Sequence, residues 1–269
     1  MADYPFLKGH GTENDFVLLP DHDRSLHGDL SPERVRALCD RRAGIGGDGV
    51  LRVVRETVPD SGADWFMDYR NSDGSVSEMC GNGIRVFALH LAQEGLVDPT
   101  HPVPIGTRDG VKVLTFEGDR ITADMGTPKV LGETTVSVGS ATWAARHVDM
   151  GNPHAVAFVS SLDEVGPLLD QPSYDAGLYP HGVNIEFVVR RDDAHVAMRV
   201  HERGSGETRS CGTGACAVMV AAALADGARR DTAYRVDVPG GTLQVTWTAD
   251  DRVLLTGPAE IVARGTTSL

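Results

Sequence analysis

Two cysteines stand in the same local setting, 131 residues apart. Cys80 opens the run Cys-Gly-Asn-Gly, Cys211 opens Cys-Gly-Thr-Gly, and each leads into an apolar stretch with helical spacing. A helix N-terminus carries unpaired N–H donors and partial positive charge, so it stabilises a thiolate and binds a carboxylate. Glycine beside the cysteine lets the backbone turn tightly and brings those donors close to a ligand. One such turn reads equally well as a buried structural thiol. Two equivalent turns presented to one ligand would let one thiol take a proton from a carbon while the other delivers a proton to the opposite side. Cys39, on an apolar helix face, and Cys216, inside a helix, lack this setting and read as packing residues. A disulfide between Cys80 and Cys211 is the competing reading of the pair, formed when an empty site lets the sulfurs oxidise.

The elements that must hold these turns look duplicated. Met67 to Gly83 lies without gaps over Met198 to Gly214. Upstream, Gly44 to Leu51 lies over Gly182 to Val189, and Gly9…Phe16-Val17 over Gly151…Phe158-Val159. Three matches in one order imply two similar domains differing mainly in loop length. Strand-like runs are expected at 15–19, 49–54, 65–69, 111–116, 155–159, 183–189, 196–200, 234–238 and 243–247. Helices are expected after Ser31-Pro32, after Cys80 with a stop at Gly95, and from Cys211 to about Asp226-Gly227. Many strands with few helices predict an α+β fold of two mostly antiparallel domains, each wrapping a central helix. The expected boundaries are 1–126 and 127–254, with a strand in 255–269 packing back on the first domain.

Other chemistries find little support. The sequence has no HExxH, no zinc-spaced His/Cys cluster, no Walker A loop and no Gly-x-Ser-x-Gly elbow. Gly44-Ile-Gly-Gly-Asp-Gly lacks dinucleotide-binding spacing and is read as a turn. Lys8, Lys112 and Lys129 lie in no setting suggesting a Schiff base, so neither cofactor nor metal is expected. The net charge of −13 argues against a nucleic-acid groove. The apolar run near 215–225 is too short to span a bilayer, and Met1–Lys8 has no leader pattern. Four cysteines without CxxC spacing suit a reducing cytoplasm.

The ordered set Gly9-His-Gly-Thr-Glu-Asn-Asp-Phe, Gly44-Ile-Gly-Gly-Asp-Gly, Asn71-Ser-Asp-Gly, Met79-Cys-Gly-Asn-Gly, Gly151-Asn-Pro-His, Gly182-Val-Asn-Ile-Glu-Phe, Glu202-Arg-Gly and Ser210-Cys-Gly-Thr-Gly-Ala-Cys resembles the diaminopimelate epimerase family across nearly the whole chain. The resemblance implies a pseudo-symmetric two-domain fold with its active site in the interdomain cleft, no cofactor, and a homodimer. It implies conversion of LL-2,6-diaminopimelate to the meso isomer, for lysine and peptidoglycan precursors. Cys80 and Cys211 would be the acid/base pair, with His154 and Glu202 tuning their protonation. Gly81, Asn82, Gly212 and Thr213 would hold the α-carboxylate. Asn14, Asn71, Asn152, Asn184, Glu202 and Arg203 would bind the remaining amino and carboxylate groups. Alone, His154 would read as a packed histidine, and Glu202 with Arg203 as a solvated pair.

At Gly49 many family members carry a larger polar residue, often glutamine, that can touch substrate; this chain departs from them there. Two rivals are a two-cysteine racemase acting on another amino acid and a non-catalytic amino-acid-binding relative, the latter disfavoured by the retention of both cysteines, both glycine turns and Glu202. A thiol redox protein is disfavoured by the absence of CxxC and by the two symmetric turns. Proline racemases typically follow the first cysteine with Gly-His, where this chain has Gly81-Asn82.

Overall fold

The structure, a computed structural model, describes residues 3–269. Met1 and Ala2, which begin both the stretch read for a leader and the expected first domain, lie outside the described residues. Contacts divide the chain into two compact units, one running to Ala123 and taking in Gly257–Leu269, the other spanning Asp124–Thr256.

The first unit contains β1 (Tyr4–Gly11), β2 (Asn14–Pro20), α1 (Pro32–Cys39), β3 (Gly49–Arg55), β4 (Trp65–Asn71), α2 (Gly81–Gln93), β5 (Val103–Thr107), β6 (Gly110–Glu117) and β7 (Arg120–Asp124). The second contains β8 (Lys129–Val138), β9 (Ala141–Asp149), β10 (Pro153–Phe158), a 3₁₀ turn (Leu162–Val165), β11 (Ser173–Tyr174), β12 (Asn184–Asp192), β13 (His195–Glu202), β14 (Gly206–Thr208), α3 (Gly212–Asp226), β15 (Ala233–Val238), β16 (Gly241–Trp247) and β17 (Val253–Pro258). The last strand, β18 (Glu260–Thr267), returns to the first unit and pairs antiparallel with β1.

The two units repeat one pairing scheme. In the first, β1/β2 is antiparallel, β2/β3 parallel, β3/β4 antiparallel, β4/β5 parallel and β5/β6 antiparallel. In the second, β9/β10, β10/β12, β12/β13, β13/β15 and β15/β16 follow the same alternation. Parallel neighbours need a crossover connection, and α2 and α3 supply it between β4 and β5 and between β13 and β15. The fold is therefore α+β, mostly antiparallel and pseudo-symmetric, as the sequence pattern predicts. Strands missing from that pattern, such as β1, β8 and β9, are rich in polar or small residues, and β8 is largely exposed.

Each unit closes around its crossover helix. α2 packs on β1, β2, β3 and β18, and α3 on β9, β10, β12, β13, β15 and β16. α3 is apolar on every side, with Val218, Met219 and Val220 fully buried. Each such side chain contributes about 1.5–3 kcal/mol of transfer free energy. Helix ends follow local chemistry. Ser31 caps α1 ahead of Pro32, and Gly227, with φ 60°, ends α3 in the left-handed conformation that glycine adopts without strain. Among the described residues no helix is long and apolar enough to cross a membrane.

Candidate active site

Both cysteines are helix N-caps. Cys80 and Cys211 hold extended backbones, with φ/ψ of −142°/123° and −124°/116°, immediately before α2 and α3. The Gly83 N–H donates to Cys80 Sγ at 3.5 Å, and the Gly214 N–H donates to Cys211 Sγ at 3.4 Å. A capping position is normally held by an oxygen acceptor. Here sulfur takes that place at the start of both helices.

Around Cys80 the neighbours are amides. Its thiol donates to Asn14 Oδ1 at 3.6 Å, and the same oxygen accepts from Asn82 Nδ2 at 3.1 Å. Asn14 Nδ2 in turn donates to Asp48 Oδ2 at 2.7 Å, so an acceptor-only carboxylate fixes which end of the Asn14 amide meets the thiol. Burial pushes the Asp48 carboxyl up, and the hydrogen bond from Asn14 opposes that rise. Beneath them the fully buried Arg85 donates to Gly81 O and Asn82 Oδ1, both at 2.9 Å, pinning the first turn of α2.

Around Cys211 the neighbours form a chain. Cys211 Sγ lies 3.6 Å from Thr213 Oγ1, which accepts from Asn152 Nδ2 at 3.4 Å. Asn152 Oδ1 lies 2.9 Å from His154 Nε2, and His154 Nδ1 lies 2.7 Å from Glu186 Oε1. Asn184 adjoins this chain, donating to Pro153 O at 3.1 Å and accepting from the Arg203 N–H at 3.0 Å. Burial drives the Cys211 thiol well above its ordinary pKa; Glu202 and then Glu186 add to the rise, while Thr213 and the Gly214 N–H oppose it.

Most residues singled out from sequence thus gather in two local groups: Asn14, Cys80, Gly81 and Asn82, and Asn152, His154, Asn184, Cys211, Gly212 and Thr213. Glu202 accepts from the Thr208 hydroxyl while its charge acts on Cys211. Asn71 uses its amide on Ser75 Oγ at 3.0 Å, in the turn after β4. The Arg203 side chain is exposed and reaches His181 O at 3.5 Å. At Gly49 a Cβ would stand 2.5 Å from Arg70 O and 2.7 Å from a Tyr69 ring carbon, so a side chain there requires the β4 backbone to shift. Cys39, whose thiol burial pushes up to about 12, and Cys216 are packing residues. No disulfide joins any of the four cysteines, and no metal-binding cluster occurs among the described residues.

Sequence reasoning missed three residues: Asp48, Arg85 and Glu186. The signal for Glu186 was present. It alternates with Ile185 and Phe187 on a strand, and its face meets a helix with no polar side. A carboxylate so placed needs a buried partner.

Solved structures with this fold include a phenazine biosynthesis protein of the PhzF family from Bacillus anthracis. It has a TM-score of 0.74 at 16% identity, covering 100% of both chains. A hydroxyproline epimerase from Agrobacterium vitis aligns with a TM-score of 0.70 at 16% identity, over 99% of this chain and 93% of that one. At such identity the likeness fixes the fold alone. The class is a duplicated α+β protein with a cysteine capping the crossover helix of each unit.

The chain belongs to the diaminopimelate epimerase family, whose model matches residues 6–131 and 146–262. It is 57% identical to a diaminopimelate epimerase of Streptomyces coelicolor, over 97% of this chain and 94% of that protein. It is 50% identical to one from Corynebacterium glutamicum, over 97% of each.

Proposed function

We propose that this chain is an isomerase that inverts one α-carbon of LL-2,6-diaminopimelate to give the meso isomer, using Cys80 and Cys211 as the acid/base pair. The observation that carries the reading is the matched pair of cysteine caps, each sulfur accepting an N–H from the first turn of its helix.

An α-proton beside an ammonium and a carboxylate is very weakly acidic, so charge developing on the carboxylate must be stabilised as the proton leaves. The N–H groups of Gly81, Asn82, Gly212 and Thr213 are the donors for that carboxylate. One thiolate removes the proton from one face and the other thiol delivers a proton to the opposite face, so the proton count balances without a co-reactant. The roles exchange with the handedness of the substrate. For Cys211, burial and the carboxylates of Glu202 and Glu186 favour the thiol, the form that delivers a proton. A substrate ammonium opposes those carboxylates, and Thr213 and the Gly214 N–H stabilise the thiolate that removes one. Asn14, Asn71, Asn152, Asn184, Glu202 and Arg203 bind the remaining amino and carboxylate groups, since together they offer donors and acceptors to a zwitterion. The enzyme needs no cofactor or metal and acts as a cytoplasmic homodimer on the route to lysine and peptidoglycan.

Reduced protein incubated with LL-diaminopimelate in D₂O is expected to give α-deuterated meso product, with turnover lost in Cys80→Ser and in Cys211→Ser. Absence of exchange by the reduced wild type overturns the assignment.

A further inference from the structure

We infer that Glu186 is a positioning residue for Cys211: through His154 it fixes the direction of the hydrogen-bond chain that ends on that sulfur. The inference rests on the reading of Cys211 as one of the two acid/base groups.

The geometry begins with two fully buried side chains. His154 and Glu186 are both 0% exposed, and they face each other from the parallel strands β10 and β12, where His154 is in register with Asn184. Their face of the sheet meets α3, while Ala155, Ala157, Ile185 and Phe187 pack together in the core on the other face. His154 Nδ1 and Glu186 Oε1 are 2.7 Å apart, and no protein donor reaches Glu186 Oε2. An ionised carboxylate with a bare buried oxygen carries a heavy desolvation cost, as does any net charge at zero exposure. The arrangement with no net charge has two protons on the pair, one between Nδ1 and Oε1 and one on Nε2. With Nε2 protonated, His154 donates to Asn152 Oδ1 at 2.9 Å. The Asn152 amide is then turned with Nδ2 toward Thr213 Oγ1, at 3.4 Å. Because that oxygen is already accepting, the Thr213 O–H is free to point at Cys211 Sγ, 3.6 Å away. Every link hands a hydrogen toward the sulfur.

A histidine bearing its only proton on Nδ1 would reverse each link, turning the Asn152 oxygen toward Thr213 and drawing the hydroxyl away from the sulfur. Gly214 shows how closely the carboxylate and thiol are fitted. A Cβ on that residue would stand 2.8 Å from Glu186 Oε1 and 3.2 Å from Cys211 Sγ.

The test separates hydrogen bonding from packing. Glu186→Gln keeps a side-chain amide that can donate to Nδ1 and so keeps the proton on Nε2. Glu186→Leu fills similar volume with no polar atom. Imidazole ¹⁵N spectra of the full-length protein are expected to show His154 protonated at Nε2 in the wild type and in Glu186→Gln, and that signature lost in Glu186→Leu. Turnover of diaminopimelate is expected to stay within about tenfold of wild type for the glutamine variant and to fall at least about 100-fold for the leucine variant. A wild-type His154 without a proton on Nε2 overturns the proposal, and so does a leucine variant as active as wild type. If the leucine variant does not fold, the wild-type and glutamine spectra decide. If the wild type does not turn over diaminopimelate, the assignment of function fails while the spectra still report on the His154–Glu186 pair.

Discussion

Adding one methyl group to each of the two capping turns separates two sites that look alike in sequence. At Gly214 the new carbon would lie 2.8 Å from Glu186 Oε1 and 3.2 Å from Cys211 Sγ. The carboxylate is fully buried and held by His154, so neither contact can relax cheaply. Overpacking of this kind costs about 1–3 kcal/mol. Alanine returns about 1 kcal/mol through its helix propensity. The net loss for Gly214→Ala is therefore up to about 2 kcal/mol, or up to about 4 °C in melting temperature for a protein of this size. At Gly83 the new carbon would meet Leu51 Cδ2 at 3.3 Å, Phe16 Cζ at 3.4 Å and Cys80 Cβ at 3.5 Å. Those contacts are mildly tight and apolar, so propensity offsets them and Gly83→Ala is expected to be about neutral in stability. Turnover is expected to fall at least about tenfold in Gly214→Ala, because the displaced carboxylate or sulfur breaks the local hydrogen bonds. Thermal melts and α-deuteration in D₂O on both variants check the pair. A Gly214→Ala protein that melts and turns over like the wild type refutes the reasoning.

Three further outcomes follow from the same geometry. Burial holds His90, 2% exposed on α2, down to about 4. Its contribution of about 3 kcal/mol is complete above pH 6.5 and is lost as pH falls through that window, so His90→Leu should flatten the acid limb of a denaturation curve against pH. Asp48→Asn removes the carboxylate that orients the Asn14 amide toward Cys80, and kcat/KM should fall about tenfold, an effect of about 1.4 kcal/mol; a value within twofold of wild type counts against that role. Deleting 259–269 strips β18 from β1 along with the Tyr4 and Arg34 hydrogen bonds to Leu269 O. The bared edge should leave the protein insoluble or lower its melting temperature by more than about 10 °C, measured by scanning calorimetry.

The sequence by itself determined what is local and periodic. The caps at Ser31, Cys80 and Cys211, the glycine stop at Gly227 and the wholly apolar run of α3 are set by neighbouring residues, and so were legible. The duplication was legible as well, because it preserves spacing between Met67 and Cys80 and between Met198 and Cys211. Weakly patterned strands such as β8 were not, since an exposed strand carries little alternation to read. Only the tertiary structure decided which polar groups meet. Asp48 reaches Asn14 across 34 residues and Glu186 reaches His154 across 32, in both cases because parallel strand pairing brings distant segments side by side. Antiparallel pairing between β1 and β18 likewise joins residues 250 or more positions apart. Periodicity assigns a residue to a face, but the partner it meets there is set by register and crossover, which are properties of the folded sheet.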